Sequence, residues 1–363
     1  MKVVVIGAGT FGASLAWILA RDGEDVTLVD QFEPGDPRAS SGGETRLMRC
    51  CHGANAEYTA SARRARTLWR ELEAEAGEAL YEECGMAWFA HREDGWEAAS
   101  ESTLRSQGIP CERVDAADLY PSLALGDTPF TLFEPEAGVL RAQRAVRALA
   151  AQAVAHGASA VRGRAVPHGA TAVLGDGTCL EGDALVWACG PWLGGLFERV
   201  TLRVTHQEVL LFDCGPDWAG APAWVDYDRA MYGTADVDEM GFKASLDKEG
   251  PPISADDELP EAGRTEHDVR SYLADRFPAL AEARLCAARS CRYELTPDTR
   301  FIAAPVPGEP GVWLLGGGSG HGFKHGPAVA ELVAGALRGG TPLPERFGLG
   351  ERARARSLRT AGS

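Results

Sequence analysis

The hydrophobic pattern of the first thirty residues predicts a strand, a helix and a second strand. Lys2–Ile6 is a short run of mainly β-branched apolar residues, which is typical of a buried strand. A glycine-rich turn occupies residues 7–12, and residues 13–21 then show the apolar spacing of a helix that ends at Asp22-Gly23. A second apolar strand at 25–29 ends in Asp30.

The same patterns continue along the chain, with strands and helices separated by Gly, Pro, Ser and charged residues. Helices are predicted at residues 57–79, 94–107, 142–156 and 327–337, and in the second part of 256–276. Strands are predicted at 85–89, 109–119, 138–140, 171–174, 179–180, 183–192, 204–212, 291–295 and 312–315, with a further small strand around 161. Successive strands with polar turns are predicted within 224–244. The charged tail from residue 345 onward is predicted to be loosely ordered.

The N-terminal turn has the spacing of a dinucleotide-binding site. Gly7 permits a tight strand-to-helix turn, Gly9 lets the backbone approach a pyrophosphate, and Gly12 allows close packing of helix on strand. The helix N-terminus supplies partial positive charge for phosphates. Asp30 is placed to accept hydrogen bonds from ribose hydroxyls. The unit does not distinguish FAD from NAD, and a glycine-rich turn without a ligand is the simpler alternative.

A second glycine-rich loop, residues 316–322, precedes an apolar helix near the other end of the chain. Glycine-rich turns that lead into helices therefore occur at both ends. This arrangement predicts a discontinuous nucleotide-binding domain, completed by C-terminal segments around an inserted β-rich unit. A flexible linker is the alternative interpretation of the loop.

Composition narrows the function classes. The net charge of −16 argues against a nucleic-acid partner and against an anionic membrane surface. No apolar run approaches the roughly 20 residues that span a bilayer, and the first strand leaves little room for a secretory segment, so we expect a cytoplasmic protein. The nine cysteines include no CxxC pair, which indicates neither a disulfide framework nor a metal site.

Several motifs together resemble a known family. The chain is similar, over nearly its whole length, to the FAD-dependent amine oxidoreductases of the D-amino-acid oxidase superfamily, and most closely to the monomeric sarcosine oxidase and N-methyltryptophan oxidase group. The motifs that match, in the same order, are Gly7-Ala-Gly-Thr-Phe-Gly12 with Asp30, Gly43-Glu-Thr-Arg46 with Arg49, residues 183–192, Cys291-Arg-Tyr-Glu-Leu-Thr-Pro-Asp298 and Ser319-Gly-His-Gly-Phe-Lys324.

The resemblance implies a fold and a cofactor. It implies an α/β protein with a Rossmann-like, discontinuous FAD-binding domain and a mainly antiparallel β-sheet substrate domain with flanking helices. We assign residues 1–80, 142–203 and 298–363 to the FAD-binding domain, and residues 81–141 and 204–297 to the substrate domain. In that group the cysteine that matches Cys291 carries the flavin through an 8α-thioether bond; a buried thiol is the alternative. The group also implies a monomer.

The resemblance assigns roles to the catalytic candidates. Arg49 and Lys324 match the pair that holds the substrate carboxylate, and either alone would otherwise be read as a surface salt bridge. Lys243 matches the lysine that activates molecular oxygen, unless it is an exposed strand residue. Tyr232 matches a tyrosine of the substrate pocket, although a core aromatic is an alternative.

The cofactor candidates cluster in both glycine-rich segments. Arg46 matches a residue over the flavin ring, or pairs with a carboxylate, and the loop 316–322 would lie beside the flavin pyrimidine ring. His321 is either a neutral hydrogen-bonding group near the flavin or a structural loop contact, and not a general base. The predicted cofactor-binding residues are Gly7, Gly9, Thr10, Phe11, Gly12, Asp30, Thr45, Arg46, Val166, Cys189, Gly190, Cys291, Gly316, Gly318, Gly320, His321, Gly322 and Lys324.

Two positions depart from the family pattern. Sarcosine oxidases carry histidines just before the Gly-Asp-Thr-Arg stretch and a few residues after the lysine that matches Lys243. This chain has Ser41-Gly42 and Ser245-Leu246-Asp247 there. We therefore expect a pocket that is not shaped for sarcosine itself, with Asp247 facing a basic or hydroxylated substrate group, or only solvent.

The predicted function is the oxidation of a C–N bond in a small amino or imino acid, of the secondary or N-methyl amine type, with FAD as cofactor and oxygen as acceptor. The products would be an imine and hydrogen peroxide. The alternatives are a flavin-dependent amine dehydrogenase with another acceptor, a NAD-dependent dehydrogenase, and a non-catalytic flavin-binding protein.

Overall fold

The computed structural model describes residues 1–126 and 128–355, which form helices and four β-sheets. The helices are α1 (Thr10–Arg21), α2 (Ala56–Ala76), α3 (Trp96–Ser106), α4 (Ala142–Ala155), α5 (Leu193–Leu196), α6 (Glu266–Arg276) and α7 (Gly326–Leu337). The strands are β1 (Lys2–Ile6), β2 (Asp25–Asp30), β3 (Thr45–Met48), β4 (Tyr81–Glu82), β5 (Met86–Phe89), β6 (Glu112–Val114), β7 (Thr131–Glu134), β8 (Gly138–Arg141), β9 (Ser159–Arg162), β10 (Ala165–His168), β11 (Thr171–Leu174), β12 (Cys179–Leu180), β13 (Ala184–Trp187), β14 (Arg203–Phe212), β15 (Ala223–Asp226), β16 (Met231–Thr234), β17 (Phe242–Leu246), β18 (Leu285–Leu295), β19 (Ile302–Pro305) and β20 (Val312–Gly316).

A six-stranded sheet of order β19-β20-β13-β1-β2-β9 organises the N-terminal unit. All its strand pairs are parallel except β19–β20. Helix α1, buried along almost its whole length, packs against α4 and α7 on one face of this sheet. Because parallel strands are covered on both faces, β1 and β13 read as continuous apolar runs. Their carboxyl ends meet at one edge, where ligands bind in folds of this kind.

An eight-stranded sheet of order β18-β14-β17-β16-β15-β5-β7-β6 forms the second layer, antiparallel except for the β15–β5 pair. Side chains along each strand point alternately to its two faces. Phe242 and Ala244 pack in the aromatic core beneath α6, whereas Lys243 between them points to the opposite face. The neighbouring strands repeat this alternation, since Met231 lies in that core and Tyr232 does not.

The predicted α/β architecture, with a mainly antiparallel second sheet, is confirmed. Two smaller sheets, β10-β11-β12 and β3-β8-β4, complete the fold, and β3 carries Thr45 and Arg46. Strands β3, β4, β7, β10 and β19 were not predicted. The predicted strand at 109–119 is only three residues long, and is followed by a 3₁₀ turn at Ala116–Asp118. The domain boundaries stay a prediction.

The prediction of a loosely ordered tail is wrong for residues 345–355. Glu345–Phe347 form a 3₁₀ turn, and Phe347 is buried against Phe301. Arg352 donates to Asp298 Oδ1 at 2.9 Å and to the carbonyls of Phe301 and Gly348. One buried aromatic side chain and one paired arginine therefore anchor this segment. The rest of the predicted tail, residues 356–363, lies outside the described residues.

Two properties of the chain bear on its chemistry. In the portion of the chain that the structure describes, no helix is both long and apolar enough to cross a membrane. All nine cysteines lie in this portion, and each is a free thiol.

Candidate functional site

A cavity of about 550 Å³ opens where β1 and β13 end and α1 begins. Its volume lies in the range of small-molecule and cofactor sites. The predicted residues that line it are Gly7, Gly9, Thr10, Phe11, Asp30, Arg46, Cys189, Gly190, Gly318, Gly320 and Gly322. The two glycine-rich segments, about three hundred residues apart in sequence, thus border one cleft.

The N-terminal glycines form a cradle that side chains would fill. Gly7 has φ +108°, and a Cβ there would lie 2.3 Å from the Ala188 carbonyl oxygen. A Cβ on Gly12 would lie 1.8 Å from the Gly7 oxygen, and one on Gly9 would lie 3.2 Å from Ser41 Oγ. Gly12 packs against the turn and does not line the cavity. The cleft therefore brings bare backbone and the α1 N-terminus to a ligand, which fits a pyrophosphate.

Asp30 closes the cradle at the end of β2. Its two carboxylate oxygens accept the backbone N–H groups of Ala8 at 2.5 Å and Phe32 at 2.7 Å. Burial raises the pKa of this carboxyl group. Each carboxylate oxygen has a second lone pair, so Asp30 retains acceptor capacity for ribose hydroxyls.

The second glycine-rich loop is tied internally. The N–H groups of Gly318 and Ser319 donate to the side chain and carbonyl of Glu294, and those of His321 and Gly322 donate to the Gly318 carbonyl. These four donors are therefore engaged within the protein. Gly320 has φ +77°, and a Cβ there would lie 2.7 Å from the Tyr293 ring.

A chamber of about 130 Å³ adjoins the large cavity. Both are lined by Arg46, Tyr293, Gly320 and Phe323, which form the boundary between them. The floor of the chamber is the face of the eight-stranded sheet that points away from α6. This face carries Trp88, Val209, Val225, Tyr232, Lys243, Cys291 and Tyr293. Strand alternation brings these side chains to one face, opposite the aromatic core beneath α6.

Arg49 and Lys324 lie together in this chamber. Lys324 is 3% exposed, and its Nζ donates to the His321 carbonyl at 2.9 Å. Burial and then the charge of Arg49 lower the pKa of Lys324 well below its usual value. Burial also lowers the pKa of Arg49. Two desolvated cations side by side are costly, and an incoming carboxylate would relieve that cost.

Three histidines lie next to Arg49 and Lys324. His52, His321 and His325 pack around Tyr58, with the His52 and His325 ring centres 5.1 Å apart. Burial and the Lys324 charge lower the pKa of His321 to about 3. Its Nε2 lies 2.9 Å from the Thr299 carbonyl, so Nε2 carries the proton and the ring is neutral. His321 is thus both a loop contact and a neutral group in the chamber lining.

Lys243 lies at the opposite side of the chamber, 3% exposed. Its Nζ donates to the carbonyl and hydroxyl of Thr45, each at 3.3 Å, and lies 5.5 Å from the centre of the Tyr232 ring. Burial, and secondarily the Arg46 charge, lower the pKa of Lys243 to about 7. A third cavity of about 160 Å³, which Thr45 lines, meets the chamber at Arg46, Val209, Lys243 and Cys291.

Arg46 borders all three cavities. Its guanidinium donates to the carbonyls of Thr45, Ser40 and Gly42 at 2.6–3.0 Å, so it is clamped to backbone rather than paired with a carboxylate. Cys291, on β18, lines the chamber next to it. Burial raises the pKa of the Cys291 thiol, whereas the charges of Arg46 and Lys243 oppose the shift.

Not every predicted residue reaches these cavities. Val166 is 47% exposed on β10 and lines none of the three, although its neighbour Ala165 lines the large one. Gly316 ends β20 away from all three cavities. The chamber residues that sequence reasoning missed are Leu47, His52, Trp88, Trp96, Val209, Val225, Tyr227, Tyr293, Ser319 and Phe323. The alternation along a strand predicts that Trp88 and Val225 point to the opposite face from the residues next to them in sequence. No local signal indicates which part of the protein lies on that face.

Comparisons with known proteins give a consistent result. A family model described as FAD dependent oxidoreductase (DAO) matches residues 2–336. The chain is 28% identical to the monomeric sarcosine oxidase of Bacillus sp. (strain NS-129), over 92% of this chain and 91% of that protein. It is 27% identical to the N-methyl-L-tryptophan oxidase of Yersinia pestis (strain Pestoides F), over 92% and 93%. The solved structure of L-proline dehydrogenase from P. horikoshii shares the fold, with a TM-score of 0.84 at 20% identity and 96% coverage of both chains.

Proposed function

The chain belongs to the FAD-dependent oxidoreductase family, and from that premise we propose that it is an amine oxidase. Its substrate would be a small amino or imino acid of the secondary or N-methyl type. The amine would lose two electrons and two protons to give an imine, and oxygen would take them to give hydrogen peroxide. The supporting observation is the junction of two cavities at Arg46, where a dinucleotide cleft meets a chamber lined by Arg49 and Lys324.

The large cavity would hold FAD. The glycine cradle and the α1 N-terminus suit its pyrophosphate, and Asp30 suits a ribose. The rest of the large cavity extends to Tyr293 and Phe323 at the boundary with the chamber, where the reactive end of the cofactor would meet the substrate. Bound FAD supplies the two-electron oxidant that amine oxidation requires. We retain the sequence assignment of the two domains as part of this proposal.

Arg49 and Lys324 would bind the substrate carboxylate. The planar guanidinium offers two parallel donors, and the ammonium adds a point charge. Since the neighbouring histidine His321 is neutral, these two groups carry the positive charge at this end of the chamber. The aromatic walls exclude water and present flat surfaces to the rest of the substrate; Trp96 and Tyr227 stack with ring centres 4.3 Å apart. The small volume favours a small amino acid.

Lys243 would serve the oxygen reaction. In its protonated form it places a positive charge at the junction of the chamber and the third cavity, which stabilises negative charge developing on oxygen. Because the pKa of Lys243 is lowered to about 7, this charge is present below that pH and is lost as the pH rises through it. Reoxidation of the flavin by oxygen is therefore expected to be fastest on the acidic side of neutrality.

Cys291 would form the thioether bond to the flavin 8α carbon. The S–H bond and one C–H bond of the 8α methyl group would break, and the two electrons and two protons released would reduce the flavin, which oxygen would reoxidise. The thiol lines the chamber with Lys243 and Arg46, whose charges favour the thiolate that such chemistry uses and oppose the larger effect of burial. The bond is a proposal, which the resemblance supports and the position of Cys291 permits.

The purified protein tests these proposals. A flavin spectrum whose colour stays in an acid precipitate, and moves to the supernatant in Cys291→Ala, supports the covalent bond. Peroxide release with secondary amino acids then supports the oxidase. Flavin reduction without oxygen consumption would contradict the oxidase and favour a dehydrogenase. A colourless protein that FAD does not reconstitute would contradict the whole assignment.

A further inference from the structure

Glu134, at the end of β7, lies behind the chamber and does not line it. It is 2% exposed. Its carboxylate accepts the backbone N–H groups of Cys50 at 2.8 Å and Cys51 at 3.2 Å, and Nε1–H of Trp88 at 2.9 Å. A buried carboxylate with three donors is held in one orientation.

Two of the contacts that orient Arg49 lead back to this carboxylate. The Arg49 Nη1 group donates to the carbonyl of Cys51, whose N–H donates to Glu134. The Arg49 guanidinium also lies over the Trp88 ring, 5.2 Å from its centre, and the Trp88 N–H donates to Glu134. Glu134 thus holds Cys51, whose carbonyl accepts from Arg49, and the Trp88 ring against which the Arg49 guanidinium lies.

We propose that Glu134 is the positioning residue of the carboxylate-binding pair, orienting Arg49 beside Lys324 through Cys51 and Trp88. The inference rests on the proposed function, since it assumes that this pair binds a substrate carboxylate. Glu134 does not touch the chamber, so its action passes through Cys51, Trp88 and its electric field.

The charge of the Glu134 carboxylate also acts on Lys324, and this gives the positioning role a pH dependence. Burial and the charge of Arg49 lower the pKa of Lys324, whereas Cys50, Glu134 and Asp247 raise it. The Lys324 charge in turn lowers the pKa values of His52, His321 and His325. If Glu134 becomes neutral, the pKa of Lys324 falls further. Its ammonium form, which exists below that pKa, is then lost at a lower pH than in the native protein.

The test measures equilibrium binding of acetate, a carboxylate that is not an amine, to the flavin-loaded protein by the change in visible absorbance across a pH series. For Glu134→Gln we expect a dissociation constant about tenfold higher. We also expect the loss of binding with rising pH to begin at a lower pH. Glu136→Gln is the matched control, because Glu136 is two residues away, half-exposed and paired with Arg66. It should bind acetate as the native protein does.

Further variants separate positioning from a general loss of structure. Glu134→Asp keeps the charge and should restore the native pH midpoint with weaker binding, and it serves if Glu134→Gln does not fold. In Glu134→Gln/Lys324→Arg the alkaline loss should disappear, since arginine stays protonated. An unmoved pH midpoint in Glu134→Gln, or unchanged affinity, would overturn the inference alone. Acetate that binds neither the native protein nor any variant would overturn the carboxylate site, and with it the proposed substrate class.

Discussion

The dinucleotide cradle and the substrate chamber adjoin each other but are built differently. The cradle comes from one contiguous stretch, Lys2 to Asp30, and works mainly through backbone and missing side chains. The chamber is assembled from segments between Arg46 and Lys324 and works through buried charges and aromatic rings. In the cradle a pyrophosphate would meet backbone that is already oriented. In the chamber the protein carries desolvated cations whose pKa values are strongly shifted.

This difference predicts different responses to substitution. A change at a cradle glycine acts through space and backbone strain, so it should affect cofactor retention. A change in the chamber acts through charge, so it should alter rates and pH profiles while cofactor and fold remain. Four substitutions, from the largest expected effect to the smallest, test whether the two regions separate in this way.

Gly7→Ala should abolish cofactor binding. The new Cβ would meet the Ala188 carbonyl oxygen at 2.3 Å in a left-handed backbone conformation, so the turn must move. We expect the flavin content per protein to fall about tenfold or more. Gly23→Ala is the control: Gly23 has φ +87°, but no atom of the described residues lies within 4 Å of its Cβ position. Equal flavin content in the two variants would show that the cradle does not depend on close approach.

Lys324→Met should retain the flavin and lose the substrate. Removing one cation leaves Arg49 alone to bind a buried carboxylate, and kcat/KM should fall about 100-fold to 1000-fold. Lys248→Met, which removes an exposed lysine near the site, should leave kcat/KM unchanged. Steady-state kinetics and the visible spectrum measure the two effects. A loss of flavin in Lys324→Met would show that the chamber also contributes to cofactor retention, and would contradict the separation of the two regions.

Lys243 should set the pH profile of the oxygen reaction. With a pKa of about 7, native Lys243 loses its charge as the pH rises, and reoxidation of the reduced enzyme should slow in that range. Lys243→Met should be slow at every pH, by about 100-fold. Lys243→Arg should remove the pH dependence, because its charge persists. Stopped-flow reoxidation measures these rates. A native rate that is constant through neutral pH would contradict the role.

Asp30→Asn should produce the smallest change, in stability. The amide nitrogen would oppose the N–H of Ala8 or Phe32 and leave one donor without an acceptor. The free energy of unfolding should fall by about 1–2 kcal/mol. Asp176→Asn is the control, since Asp176 accepts the Thr178 N–H in an exposed turn, and stability there should barely change. Denaturant titration measures the free energy of unfolding of both variants. Equal losses in Asp30→Asn and Asp176→Asn would contradict a special role for the cradle carboxylate.

The same difference explains what the sequence predicts. The cradle is readable because each of its physical requirements lies within thirty consecutive residues. Arg49, Lys243 and Lys324 were found through motif resemblance, since nothing local distinguishes a buried chamber lysine from an exposed strand lysine. Val166 was carried over by the same resemblance, and its side chain points to solvent.

Other chamber residues depend on long-range pairing. Trp88 reaches the chamber because β5 pairs in parallel with β15, which places it beside Val225. Glu134 meets Cys50 and Cys51 across more than eighty residues of sequence. Such contacts depend on sheet order and register, which hydrophobic pattern alone does not determine. The prediction of a loosely ordered tail was wrong for a similar reason, because the burial of Phe347 against Phe301 is a tertiary contact.

The most direct test of the account is anaerobic addition of N-methyl and cyclic secondary amino acids to the flavin-loaded protein, each paired with the amine that lacks its carboxylate. The flavin absorbance should bleach with at least one amino acid and not with its decarboxylated partner, because Arg49 and Lys324 select the carboxylate. Equal bleaching by both members of each pair, or bleaching by neither in any pair, would contradict a chamber built to bind an amino acid.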